Sequence, residues 1–262
     1  MDNLINILLG FTLPFLGTTL GAAMVFLLRK EMGNHTQKAL LGFASGIMVA
    51  ASFWSLLQPA LEQVGNESFF EILPVLLGLL IGMGFLLFLD TVIPHQHIDE
   101  TYSEGPRSSF SRSTKMILAV ALHNIPEGMA VGVVFAGTLN GDATLTTAGA
   151  FALSVGMAIQ NIPEGAIISM PLHNEGKSRG KAFLMGALSG LVEPLAALLT
   201  LLFLDNVSSA MPSLLAFAAG AMLYVVVEEL IPASQSGKHS NIGTIGFALG
   251  FILMMIFDAT IG

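Results

Sequence analysis

The sequence predicts an all-α integral membrane protein of eight transmembrane helices, in a 3+2+3 arrangement with inverted repeats. Three observations carry that prediction: a composition unsuited to water, eight apolar runs of spanning length, and a strict alternation of basic residues between loops. Hydrophobic residues make up 53% of the chain and charged residues only 11%, against roughly 25% charged in an ordinary soluble domain. Each span takes about 20 apolar residues, so this length accommodates about eight spans with short connections and leaves no room for a second, soluble domain.

The runs fall near residues 4–28, 37–61, 70–94, 114–138, 145–170, 180–204, 210–232 and 241–261. The first follows MDNLINILLG, which lacks a basic n-region, and its apolar stretch is too long for the core of a signal peptide; it is expected to be a retained span. The second carries small residues around Met48. The third ends at Pro94 and leads into a loop, 95–113, expected to be cytoplasmic and to bear histidines. The fourth and fifth carry HNIPEG and QNIPEG, the sixth GLVEP, and the seventh Glu228 and Glu229 near its end.

The loops test this count. Arg29, Lys30 and Lys38 lie in the first loop, Arg107, Arg112 and Lys115 in the third, Lys177, Arg179 and Lys181 in the fifth, and Lys238 in the seventh. Those are all ten basic residues, and every one is in an odd-numbered loop. Basic residues mark the cytoplasmic side, so both termini are expected outside, most simply across a plasma (inner) membrane. Asp2, Glu62, Glu67, Glu71, Asp142 and Asp205 remain on the outer side, where they would draw a cation. The net charge of -8 and the lack of any basic patch argue against a nucleic-acid partner. With no cysteine, disulfides and thiolate ligands are excluded, and any metal must be held by nitrogen, oxygen or methionine sulfur.

The motifs form inverted pairs. HNIPEG begins at His123 and QNIPEG at Gln160, in spans that run in opposite directions. Gly42-Phe43-Ala44-Ser45-Gly46-Ile47-Met48 in the second span resembles Ala216-Phe217-Ala218-Ala219-Gly220-Ala221-Met222 in the seventh, with Pro59-Ala60 matching Pro232-Ala233. Secondary transporters built by duplication show this pattern, with their site at the repeat interface.

Five intramembrane glutamates, Glu127, Glu164, Glu193, Glu228 and Glu229, each cost about 2.5–3.5 kcal/mol on insertion scales and require an explanation. On an α-helix His123 and Glu127 share one face about 6 Å apart along the axis, with Asn124 about 60° to the other side of Glu127. Glu127 is therefore placed to bridge two ions. The fifth span repeats the device with Gln160, Asn161 and Glu164. Together these residues offer one imidazole, two carboxylates and three amide oxygens, which suit divalent cations. Pro126 and Pro163 are expected to free the carbonyls of Leu122 and Ile159, while Gly128 and Gly165 permit close helix approach.

Other groups keep two readings. Glu193, beside Pro194, is either a ligand from the sixth span or a helix–helix hydrogen-bond partner. Met48 offers a thioether to the site or simply packs. Glu228 and Glu229 form an exit path or proton-linked gate, or an interfacial pair. His95 and His97, near Asp99, Glu100 and Glu104, collect metal or belong to a solvated loop. His35, His173 and His239 read as loop residues. The competing function classes are an intramembrane metal-dependent hydrolase and a metal sensor. A metalloprotease HExxH pair would need an acid at 124 and a histidine at 127, where the chain has Asn124 and Glu127, and a sensor would need an output domain.

These motifs resemble the ZIP (Zrt/Irt-like) metal transporters, especially their GufA-like prokaryotic branch, over essentially all eight spans. The resemblance implies uptake of zinc and other divalent ions such as cadmium, iron, manganese or cobalt, with no resident cofactor and a frequently dimeric assembly. It implies a principal site of Met48, His123, Glu127, Gln160 and Glu164. Asn124, Asn161 and Glu193 complete a second site that shares Glu127 and Glu164. Glu229 corresponds to an acid near the inner gate, and His95 and His97 to the loop histidines. Some relatives have Asp where this chain has Asn161, and eukaryotic ones often have His at Gln160; the implied consequences are a weaker second site and less exclusive zinc selectivity.

Overall fold

The computed structural model describes residues 2–27, 32–64, 68–96, 103–204 and 210–262. Among them, eight helices are long and apolar enough to cross a membrane. They are α1 (Asn3–Leu27), α2 (Asn34–Val64), α3 (Phe69–Val92), α4 (Arg112–Leu139), α5 (Thr147–Asn174), α6 (Arg179–Phe203), α7 (Met211–Gln235) and α8 (Ile242–Ile261). Side-chain oxygens near their N-termini satisfy helix donors that would otherwise be left open: Ser68 and Glu71 form a capping box on α3, and Ser111, Thr146 and Ser178 cap α4, α5 and α6.

Burial separates the helices by role. α4 and α5 are mostly enclosed, whereas α3 and α8 are the least buried of the eight. Leu77, Leu80, Ile81 and Phe88 of α3 and Ile245, Leu249, Ile252 and Ile256 of α8 are exposed. Such surfaces suit lipid, which solvates apolar side chains as well as protein does.

The helices pack in four close pairs, α1 with α5, α6 with α4, α2 with α8, and α7 with α3. Exchanging α1 with α6, α2 with α7, α3 with α8 and α4 with α5 converts the first pair into the second and the third into the fourth. The correspondence extends to individual contacts. Gly246 abuts the backbone of Ala39 as Gly78 abuts Ser213, Gly250 meets Phe43 as Gly82 meets Phe217, and Gly46 meets Phe247 as Gly220 meets Leu79. A further repeat accounts for this: Gly78, Gly82 and Asp90 in α3 recur at the same spacing as Gly246, Gly250 and Asp258 in α8.

The backbone departs from regular α-helix at corresponding places. α2 widens into a π-helical turn over Ser52–Leu57 and α7 over Val226–Leu230, each ending just before a proline, Pro59 or Pro232. Proline withdraws the N–H that the carbonyl four residues earlier would accept, so the preceding turn re-registers its hydrogen bonds. By contrast, α4 and α5 remain α-helical through Pro126 and Pro163. α6 is two stacked helical pieces, Arg179–Ser189 and Val192–Leu204, rather than one continuous span.

Candidate metal centre

The break in α6 shapes one wall of the centre. Pro194 has no N–H for the carbonyl of Gly190, which instead accepts from the backbone N–H of Glu193 at 3.1 Å. In a continuous helix that N–H would serve Ser189. The freed Ser189 carbonyl accepts from Asn124 Nδ2 of α4 at 3.3 Å, and the same amide nitrogen donates to Glu193 Oε1 at 2.9 Å. Glu193 lies in the first turn of its helical piece, where the helix dipole favours a carboxylate.

Thr18 of α1 completes the hold on Glu193, its hydroxyl donating to Oε1 at 3.0 Å. Sequence reading did not find this residue. Gly190 admits it, since a Cβ there would lie within 2.9 Å of three atoms of the Thr18 side chain. The helix exchange supplies a second signal: the backbone of Thr18 packs on Gly165 of α5 just as that of Glu193 packs on Gly128 of α4.

The two motif helices meet through Gln160, whose Nε2 donates to Glu127 Oε1 at 2.6 Å and also to its neighbour Asn161 Oδ1. Asn161 Nδ2 reaches the carbonyl of Pro14 at 3.5 Å. His123 Nδ1 is in direct contact with Glu229 Oε2 of α7, so the acid expected at the inner gate touches the imidazole expected in the principal site. Glu228, its neighbour, is exposed. Met48 is fully buried in the main apolar core, one turn before the π-helical segment of α2; its carbonyl accepts from Ser52 Oγ at 2.7 Å, and none of these polar contacts involves its side chain.

His123, Asn124, Glu127, Gln160, Asn161, Glu164 and Glu193 are all buried, none more than 8% exposed. Among the described residues, no lysine or arginine pairs with Glu127, Glu164 or Glu193. Among the described residues, five buried oxygens there have no hydrogen-bond partner: Asn124 Oδ1, Glu127 Oε2, Gln160 Oε1, Glu164 Oε2 and Glu193 Oε2. All five are acceptors. Leaving a buried acceptor unsatisfied costs about 1–3 kcal/mol, and more for a charged one. Cations satisfy acceptors of this kind, and an oxygen-rich set with one imidazole fits divalent metals of hard or borderline character.

A second cluster stands at the start of the loop after α3. His95 Nε2 lies 3.0 Å from Asp90 Oδ1 and 3.8 Å from Glu104 Oε2, while its Nδ1 is 2.8 Å from the carbonyl of Ile93. A β-bridge fixes His95 opposite Glu104, and Tyr224 of α7 donates to Asp90 Oδ2 at 3.1 Å. Three donor atoms, one from each of Asp90, His95 and Glu104, lie within 4.8 Å of one another. Asp90 was missed because it ends an apolar span, although its place in the α3/α8 repeat was a legible signal. His97 lies outside the described residues.

The ZIP Zinc transporter family model matches residues 94–258. The chain is 33% identical to Zinc transporter ZIP11 of Xenopus tropicalis, over 97% of each protein. It is 39% identical to Zinc transporter ZIPB of Bordetella bronchiseptica, over 97% of this chain and 81% of that one. It is 34% identical to Zinc transporter GufA of Myxococcus xanthus, over 94% and 96% respectively.

Proposed function

The chain belongs to the ZIP zinc transporter family, and from that premise we propose that it moves zinc into the cytoplasm through the buried centre between α4 and α5. It is an integral membrane transporter of divalent metal ions, not an enzyme. The observation that carries the site assignment is the set of five unsatisfied buried oxygens on Asn124, Glu127, Gln160, Glu164 and Glu193.

In this reading His123, Glu127, Gln160 and Glu164 hold the principal ion, with Met48 closing the site from α2. Asn124, Asn161 and Glu193 hold a second ion, with Glu127 and Glu164 shared between the two. Glu229 receives the ion from His123, and Asp90, His95 and Glu104 hold it next, with His97 nearby in the loop. Because the set is oxygen-rich and cysteine-free, cadmium, iron, manganese and cobalt are admitted beside zinc. The alternation of basic loop residues supports outer termini, and the family resemblance supports inward flux across a plasma (inner) membrane. A homodimer within the bilayer belongs to this reading through the family resemblance alone.

Radiolabelled zinc uptake into proteoliposomes, with competing ions at two external pH values, tests this reading. Saturable uptake reduced by excess cadmium is expected. Uptake no faster than in protein-free vesicles would refute it.

A further inference from the structure

Toward the end of the bundle where α4 turns into α5, a groove of about 300 Å³ opens between α4, α6 and α7, lined by Ile125, Met129, Ala196, Thr200, Leu214 and Phe217 among others. Its volume is at the lower end of the range for small-ligand sites. Among the described residues that line it, Thr200 carries the one polar side chain and none is charged. Two rigid walls enclose it. On one side α4 and α6 are locked together where Gly132 abuts Ala197 and the Thr200 side chain; on the other, Gly82 of α3 abuts the Phe217 backbone of α7, and the Phe85 and Phe217 rings lie 5.4 Å apart. The groove is therefore the seam between two of the close helix pairs.

The inverted repeat does not require this opening. Aligning the paired motifs puts Ala166 of α5 where Met129 stands in α4, and the match of Thr18 to Glu193 puts Val25 of α1 where Thr200 stands in α6. Ala166 and Val25 are 0% and 1% exposed, and Val25 packs in a cluster with Val120, Ile168, Leu172 and Ala182 of three other helices. Met129 and Thr200 are only half-buried. Space that protein fills at one end of the repeat is left open at the other.

We propose that the seam is a binding site for one acyl chain of a phospholipid from the surrounding bilayer, and that the chain holds the two helix pairs apart. A groove with a single hydroxyl offers water too few partners and takes apolar guests instead. It is continuous with the lipid-facing surface of α6, where Leu195, Leu199, Leu202 and Phe203 are exposed. From Ile125 to Val133 it follows α4 for about 12 Å, against roughly 15 Å for the hydrocarbon of one leaflet. A chain lying parallel to its neighbours in the bilayer fits that length. Ile125 adjoins Asn124 in sequence and Ala196 lies three residues after Glu193, so the chain bears on the two helices that carry those groups. Transporters built from inverted repeats move one bundle against another, and a guest in the seam must leave before the pairs close on it. The binding site stands without the transport reading above; its effect on rate rests on that reading.

Photolabelling tests the site, with the full chain in phosphatidylcholine nanodiscs that contain a trace of phosphatidylcholine bearing a diazirine near the end of one acyl chain. Labelling of residues 125–133 and 196–203, mapped by mass spectrometry of peptides, is expected to exceed that of the exposed faces of α3 and α8 several-fold. Ala196→Phe and Leu214→Phe fill the groove from opposite walls and should lower labelling of those two segments several-fold without changing that of α3 and α8. In proteoliposomes both variants should reduce the maximal rate of zinc uptake several-fold at unchanged KM, because a tethered ring, unlike a lipid chain, cannot leave the seam. Uniform labelling of the groove and the exposed faces in the wild-type protein, or full labelling of the groove in both variants, would overturn the lipid site; the wild-type comparison decides even where a variant fails to fold. Groove labelling that appears only at one chain per nanodisc would assign the seam to a second copy of the chain and likewise overturn it. Wild-type uptake by both filled variants would overturn the chain's part in holding the pairs apart. Photolabelling needs no flux, so failure of the site and failure of the transport reading are told apart.

Discussion

Thr18 Oγ1 of α1 and Asn124 Nδ2 of α4 both donate to one oxygen of Glu193, at 3.0 and 2.9 Å. Three helices thereby fix a carboxylate whose other oxygen has no hydrogen-bond partner among the described residues. In the proposed centre Thr18 holds Glu193 rather than the ion. Thr18→Val keeps the shape and removes the donor; outer-shell losses of this kind typically cost about 10- to 100-fold in metal affinity. The apparent KM for zinc uptake is expected to rise on that scale, and Thr18→Ser should restore it. Equal impairment in the serine variant would show that the methyl group, not the hydroxyl, is what matters.

Pro194 creates the break in α6 that frees the Ser189 carbonyl for Asn124. Pro194→Ala restores an N–H to the backbone, so Gly190 regains its own donor and Ser189 recaptures that of Glu193. Uptake should fall several-fold while the protein still inserts and migrates as wild type in detergent. Wild-type kinetics in this variant would separate the break from function.

Asn161 contributes a neutral amide where a carboxylate would hold an ion more strongly. Its Oδ1 accepts from Gln160 and its Nδ2 reaches the Pro14 carbonyl. Asn161→Asp should raise the number of cadmium ions bound per chain at limiting metal, as measured by equilibrium dialysis, because the added charge favours the second ion. Asn161→Ala should leave binding of the principal ion in place. Identical stoichiometry in all three proteins would argue against a binuclear centre.

The equivalence of α2–α8 and α7–α3 predicts matched steric effects. Gly250 and Gly82 each lie against a phenylalanine backbone, Phe43 and Phe217. Overpacking typically costs about 1–3 kcal/mol. Gly250→Val and Gly82→Val should therefore lower the thermal melting temperature in detergent by similar amounts, and a large loss in only one would show that the two contacts are not equivalent.

The eight spans were legible because apolar runs and basic loops obey simple physical rules. The site helices were legible because a histidine, amides and acids beside prolines have no ordinary reason to lie in a bilayer. Other features left weaker traces. Thr18 carries no charge, and a threonine in a membrane span gives no signal until the opposing carboxylate is placed. The break after Ser189 depends on which donor Gly190 takes, a competition a residue string does not display, although Gly190 and Pro194 were its ingredients. The π-helical turns of α2 and α7 follow from Pro59 and Pro232, but those of α4 and α5 do not exist despite Pro126 and Pro163, so proline alone does not decide the local form. The Gly78, Gly82, Asp90 repeat in α8 is fully present in the sequence, but small residues recur in any membrane helix, and only the mirrored packing distinguishes it from chance.

The central claim is that the buried oxygens of the paired motifs hold the transported ion, and Glu127 is the residue on which both halves of the site converge. Its Oε1 takes the Gln160 amide while its Oε2 has no hydrogen-bond partner among the described residues. The most direct test is the initial rate of zinc uptake into proteoliposomes containing Glu127→Gln, a substitution that preserves shape and removes charge. The account predicts a fall of at least about tenfold, the lower bound for disturbing a metal site; a rate equal to wild type at every zinc concentration would contradict it.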